Sequence, residues 1–218
     1  MATDYAYGHW SLVIASVLLV VFFVSKYIPI RTRLEKRSGG VLATFIVALF
    51  TEMYGFPLTI YFLSSRLGIE IPFTHKYGHL LAYFLTYIGL DILYGWALVM
   101  IISNVMIVIG MIWIIRGWEQ VYSSGGELVT SGIYARMRHP QYSGIILAAA
   151  GFLIQWPTLL TLILFPFVVG MYHRLALREE KDVEEKFQDE YRDYRKYVPT
   201  FFPKVFPVNR SRPEYRAL

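Results

Sequence analysis

The residues with the most chemical capacity fall in two places. Leu128 to Gly144 reads LVTSGIYARMRHPQYSG, with Arg138 and His139 directly before Pro140. Proline suits a first helical position, where no N–H is needed. The N-terminus of such a helix offers free N–H groups and the positive end of the helix dipole. Gly144, one turn in, lets a ligand or another helix approach the backbone. This arrangement suits a ligand bearing a carboxylate or a phosphate. The second place is Arg178-Glu179-Glu180. Val183, Phe187, Tyr191 and Tyr194 recur at spacings of four, four and three, one stripe of a helix over 174–196. Glu180 falls on that stripe and Glu179 flanks it. A carboxylate facing a bundle needs a partner: a ligand's amine or hydroxyls, or Arg136 or Arg138. On residues alone, a basic cluster that only sets topology and a structural ion pair remain open readings.

Other candidates carry less. Glu52 and Asp91 are carboxylates at or near membrane depth, which marks them as functional hypotheses, Glu52 as a substrate-side or packing contact. His75 and His79 have the spacing of a metal pair but no third ligand, so no metal site is expected. The chain has no cysteine, which excludes disulfides, thiolate metal sites and cysteine nucleophiles. There is no phosphate-binding glycine loop, dinucleotide glycine pattern or nucleophile elbow.

The elements that must position these residues follow from composition. The 218 residues are 56% hydrophobic and 17% charged, against roughly 25% charged in soluble domains. Twenty of the 37 charged residues lie in 174–218. This describes an all-α integral membrane protein with a polar C-terminal tail, not a soluble or nucleic-acid-binding one. Residues 10–30 read as a spanning helix rather than a cleaved signal peptide, since no basic stretch precedes them and no small-residue cleavage site follows. Residues 41–63 read as a second span, 79–94 as an interfacial or partly re-entrant helix, and 95–115 as a third span. His139 to His173 contains no Asp, Glu, Lys or Arg and is interrupted at Gln155-Trp156-Pro157-Thr158. Its two arms form a helical hairpin. Pro199, Pro203 and Pro207 end any helix beyond Val198. Arg31–Arg37, Arg116, Arg136–Arg138 and the tail share one side if the N-terminus is outside. About five transmembrane helices result, followed by a cytoplasmic amphipathic helix.

The pattern LVTxGxYxxxRHPxYxG resembles the signature of the isoprenylcysteine carboxyl methyltransferase family, which is related to the phospholipid N-methyltransferases. The downstream features appear in order: the proline-broken hairpin, Glu179-Glu180, Glu190-Tyr191-x-x-Tyr194-x-x-x-Val198, and Pro203. The resemblance covers about residues 100–205. It implies an integral-membrane, S-adenosylmethionine-dependent methyltransferase that acts on a lipophilic or small acceptor and yields S-adenosylhomocysteine. It implies cofactor-site roles for Tyr134, Arg138, His139, Tyr142, Gly144, Glu179 and Glu180. Among these, Arg138, His139 and Glu180 are the catalytic candidates. Arg174 and Arg195, with Glu52, are the acceptor-side candidates. A sulfonium donor needs only an aligned nucleophile in a site that excludes water, so no dedicated nucleophile or metal is expected. The chain divides at 95/96, into N-terminal membrane helices with an outward loop (1–95) and a methyltransferase-like core with its tail (96–218).

One position departs from the family pattern. The residue before the tail valine is often basic, and here it is Tyr197. That leaves the acceptor open among a prenylcysteine carboxylate, a lipid amine, a thiol and another hydrophobic acid. Two alternatives use the same fold: an NADPH-dependent membrane reductase of the sterol-reductase type, and a non-catalytic membrane protein.

Overall fold

The computed structural model describes residues 7–27, 33–71 and 75–203, and among these every regular element is helical. The elements are α1 (Trp10–Tyr27), α2 (Arg33–Phe50), a π-helical turn (Thr51–Gly55), α3 (Leu58–Leu67), α4 (His75–Gly78), α5 (Leu80–Thr86), α6 (Ile92–Ser123), α7 (Pro140–Gln155) and α8 (Leu159–Tyr197). Three stretches are long and apolar enough to cross a membrane: Leu34–Gly55, Ile92–Ser123 and Leu159–Tyr197; Trp10–Phe23 is a shorter apolar helix. Residues 28–30 of the expected first span, Arg31 and Pro207 lie outside the described residues.

The second span begins earlier and ends earlier than its hydropathy suggests. Phe56 precedes Pro57 and is extended, with φ −132° and ψ 119°, as the residue before a proline prefers. The helix therefore stops at the π-helical turn, and Leu58–Leu67 is a separate short helix. The region 79–94 is also no single element. Asp91 accepts a hydrogen bond from the Leu93 N–H at 2.8 Å and caps α6. A side-chain N-cap accounts for its carboxylate.

The hairpin forms where the sequence places its break. Thr158 caps α8 with a reciprocal capping box to Thr161. On the other side of the turn, His79 Nδ1 lies 2.6 Å from the Gln155 carbonyl oxygen, and the His79 ring packs edge-on to Trp156 at 4.7 Å. His79 therefore anchors the hairpin tip. Among the described residues no group of three or more His, Asp or Glu could hold a metal; the His75 side chain is not described.

One buried core joins both sides of residue 95. Leu42, Phe45, Ile46 and Leu49 of α2 lie on one helical face. They join Ile145, Ile146 and Ala149 of α7 and Val168, Tyr172, Leu175 and Ala176 of α8. α6 and α7 meet along a seam of small residues, in which Gly110 faces Gly144 and Ala148, and Gly117 faces Pro140 and Gln141. Small residues let helix backbones approach closely. Elsewhere α6 and α8 expose apolar side chains, among them Leu98, Ile101, Val105, Val108, Leu162, Ile163 and Phe167. Such a surface suits lipid rather than water.

Candidate functional site

The starts of α2 and α7, the end of α6 and the middle of α8 meet at the end of the bundle opposite the hairpin tip. The apolar part of α8 ends at His173, and the charged half carrying Glu179 and Glu180 continues beyond it. That half is not straight. Gln188 has φ +45° and ψ −115°, outside helical space, and the chain bends there. Arg195 Nη1 lies 3.3 Å from Glu184 Oε2, and Arg195 Nε lies 3.8 Å from Glu180 Oε2. A straight helix would hold those residues about 16 and about 22 Å apart along its axis. Beyond the bend, Tyr191, Tyr194 and Val198 are buried against Leu128, Val183 and Phe187. The stripe legible in the sequence thus closes on itself and on the loop before α7.

Arg138 holds this arrangement together. Its Nε donates to Glu180 Oε1 at 2.9 Å, its Nη1 to the carbonyls of Arg195 (3.2 Å) and Val198, and its Nη2 to the Thr200 hydroxyl at 2.7 Å. The backbone repeats the connection: the Arg138 N–H donates to the Pro199 carbonyl (2.9 Å) and the His139 N–H to the Thr200 carbonyl (3.0 Å). The tail segment 198–200 is therefore laced to residues 138 and 139.

His139 faces both glutamates. Its Nε2 lies 3.2 Å from Glu180 Oε1 and its Nδ1 3.7 Å from Glu179 Oε2. Its ring stacks on Tyr142 at 5.6 Å, and the Tyr142 hydroxyl donates to Glu179 Oε1. Phe201 lies between His139 (6.2 Å) and His173 (5.7 Å) and shields the imidazole.

The two carboxylates differ in environment. The Glu180 side chain is only 3% exposed, while Glu179 is 38% exposed. Burial alone would raise the Glu180 pKa, but hydrogen bonds from His139 and Arg138, together with their charge, outweigh it and hold the group at about 2. For Glu179 burial prevails over the Tyr142 hydrogen bond and the His139 charge, and its pKa is raised. Glu180 is thus a committed anion in an ion-pair cluster. Glu179 has solvent access and lines a small cavity with Glu35, Ser38, Trp118, Tyr142, Tyr172 and Leu175. Two carboxylates, three aromatic rings and no basic group line that cavity, a set suited to a cation.

Of the residues singled out from sequence, Arg138, His139, Tyr142, Glu179 and Glu180 come together. Tyr134 lies next to them: its hydroxyl accepts from Gln141, and its carbonyl accepts from the Tyr194 hydroxyl at 2.7 Å. Gly144 lies on the α6 seam against Gly110. Arg195 joins the cluster at its rim, and Arg174 is exposed. Glu52 lies at the other end: it is buried, and its Oε2 accepts from the Thr59 N–H (2.8 Å), whose hydroxyl accepts from the Leu159 N–H at the hairpin tip (2.9 Å). The sequence reading missed Glu35, Trp118, Tyr172, Thr200 and Phe201. Tyr172 was accessible, since it precedes Glu179 by seven residues and shares its helical face. Glu35 sits in a basic run that reads as a topology signal.

Residues 92–190 match the phospholipid methyltransferase family. The family segment carries Tyr134, Arg138, His139, Tyr142, Glu179 and Glu180, whereas Glu35 and residues 195–201 lie outside it. The chain is 35% identical over 79 residues to the protein-S-isoprenylcysteine O-methyltransferase of Schizosaccharomyces pombe, covering 36% of this chain and 34% of that protein. It is 24% identical over 192 residues to a probable protein-S-isoprenylcysteine O-methyltransferase of Oryza sativa subsp. japonica, covering 86% and 93%. It is 30% identical over 114 residues to the nickel-cobalt-cadmium resistance protein NccN of Alcaligenes xylosoxydans xylosoxydans, covering 48% and 53%. The chain thus spans about a third of the length of the Schizosaccharomyces relative. No solved structure matches.

Proposed function

We propose that the protein is an integral-membrane, S-adenosylmethionine-dependent methyltransferase acting on a lipophilic or small acceptor. The observation that carries the reading is the acidic and aromatic cavity at Glu179, inside the family segment. S-adenosylmethionine has a sulfonium and an ammonium, both cations, and ribose hydroxyls. Glu179 and Glu35 suit the ammonium or hydroxyls, and Trp118, Tyr142 and Tyr172 suit a cation in contact with their rings. When bound, the cofactor supplies an electrophilic methyl group, so the chain's work is to align the acceptor and exclude water.

The roles of individual residues follow from their partners. Arg138, His139 and Glu180 are committed to one another and to the tail; they act by holding Glu179, Tyr142 and the tail in place. This differs from a direct Arg138 contact with the cofactor carboxylate, because every guanidinium nitrogen already donates within the protein. The acceptor would enter beside Phe201 and Phe202, the latter 6.4 Å from Trp113 of α6. The methyltransferase unit is residues 96–218, completed by Glu35 from the N-terminal helices. Five crossings, with the N-terminus outside and the site at the cytoplasmic face, agree with Lys36, Arg37, Arg116, Arg136 and Arg138 lying at the site's end of the bundle.

Titration calorimetry of the purified protein in detergent tests the reading with S-adenosylhomocysteine and NADPH as ligands. S-adenosylhomocysteine binds, and Glu179→Gln weakens it about tenfold or more, the scale of a lost hydrogen bond to a charged group. Binding of NADPH without S-adenosylhomocysteine sinks the proposal in favour of a reductase. Incubation of host membranes with an isotope-labelled methyl donor, followed by mass spectrometry, then identifies the acceptor.

A further inference from the structure

A second, chemically different recess lies between α1 and α2. The two helices run antiparallel and close together at one end, where the Trp10 ring packs on Gly55. Towards Ser25 and Lys36 a recess opens between them. The wedge between them encloses about 290 Å³, the size of a smaller ligand site. Val17, Val20 and Val21 form one wall, and Leu42, Ala43 and Ile46 the other. Gly39 and Gly40 leave it open: a Cβ built on Gly40 meets no atom within 4 Å. Lys36 stands at the mouth, exposed and without an ion-pair partner among the described residues. Glu35 and Ser38, which line the cavity at Glu179, occupy a different face of α2. The wedge is therefore not the methyl-transfer site.

We infer that this wedge binds one acyl chain of an anionic membrane phospholipid, with the headgroup phosphate on Lys36. Its apolar walls match a hydrocarbon chain. The cation at the apolar–polar boundary matches a headgroup, since a lysine at that depth extends its ammonium towards the surface. A zwitterionic lipid would bring a choline cation to the same lysine, so charge selects the anionic class. The inference rests on the membrane reading above and is independent of methyl transfer.

Native mass spectrometry from detergent micelles tests it, with phosphatidylglycerol and phosphatidylcholine of matched chains as probes. The wild type retains phosphatidylglycerol in roughly fivefold preference, one lysine's contribution near a membrane surface. Lys36→Ala removes the preference. Gly40→Phe, at a position where an added Cβ meets no atom within 4 Å, abolishes retention of both lipids, and Ala43→Trp repeats the result. Size-exclusion profile and S-adenosylhomocysteine binding check that the variants remain folded. Equal retention of the two lipids by the wild type, an unchanged preference in Lys36→Ala, or undiminished adducts in both filled variants overturns the inference. Failure of S-adenosylhomocysteine to bind the wild type would overturn the proposed function and leave these lipid counts standing.

Discussion

Arg138 Nε lies 2.9 Å from Glu180 Oε1, and both side chains are at least nine-tenths buried. The pair joins the start of α7 to the middle of α8, 42 residues on. Breaking a buried pair leaves an uncompensated charge, at about 3–5 kcal/mol, whereas removing both partners costs much less. Glu180→Leu and Arg138→Met each lower the unfolding midpoint in detergent. The double variant recovers much of the Glu180→Leu loss, while still missing the bonds Arg138 makes to the tail. Strictly additive effects in this cycle would show that the pair is not coupled.

The adjacent glutamates give opposite pH dependence. In the unfolded chain both titrate near 4.5, and in the fold Glu180 falls to about 2. Its stabilisation is complete above about pH 4.5 and is lost as pH falls towards about 2. The Glu179 pKa is raised, chiefly by burial, so its protonated form favours the fold, and stability falls as pH rises through that raised value. Glu179→Gln fixes the neutral state and keeps an acceptor for the Tyr142 hydroxyl. Its melting temperature relative to wild type therefore rises from acid to neutral pH. A relative fall over that range would contradict the assignment.

The clustering of Arg138, His139 and the two glutamates was legible where periodicity and charge coincide. Glu180 on the Val183–Phe187 stripe is buried, and Glu179 beside it is half-open, as their spacing requires. The hairpin break at Trp156-Pro157 was legible because proline and a capping threonine act locally. What stayed hidden depends on contacts distant in sequence. Thr200 and Phe201 lie in a proline-flanked stretch with no period, and their role arises only because Arg138 sits opposite. The bend at Gln188 has no glycine or proline to announce it. Asp91 illustrates the reverse: its charge in an apolar run reads as chemistry, but it is a helix cap.

The Gln188 conformation gives a third prediction. A non-glycine residue at φ +45° carries strain on the order of 1–3 kcal/mol. Glycine adopts positive φ without that penalty. Gln188→Gly raises the unfolding midpoint by an amount equivalent to roughly 1 kcal/mol, because the strain relieved exceeds the entropy lost. Gln188→Val, branched at Cβ, lowers it. The reverse order would mean that the bend is not strained.

Gly144 separates packing from ligand approach. A Cβ there meets the carbonyl oxygen of Gly110 and the Ile114 side chain at 2.8 Å, so Gly144→Ala must push α7 away from α6. Overpacking of this kind costs about 1–3 kcal/mol. Gly144→Ala accordingly lowers the melting temperature, and the protein that remains folded binds S-adenosylhomocysteine with affinity close to wild type. A tenfold loss of affinity at unchanged melting temperature would instead make Gly144 a ligand contact.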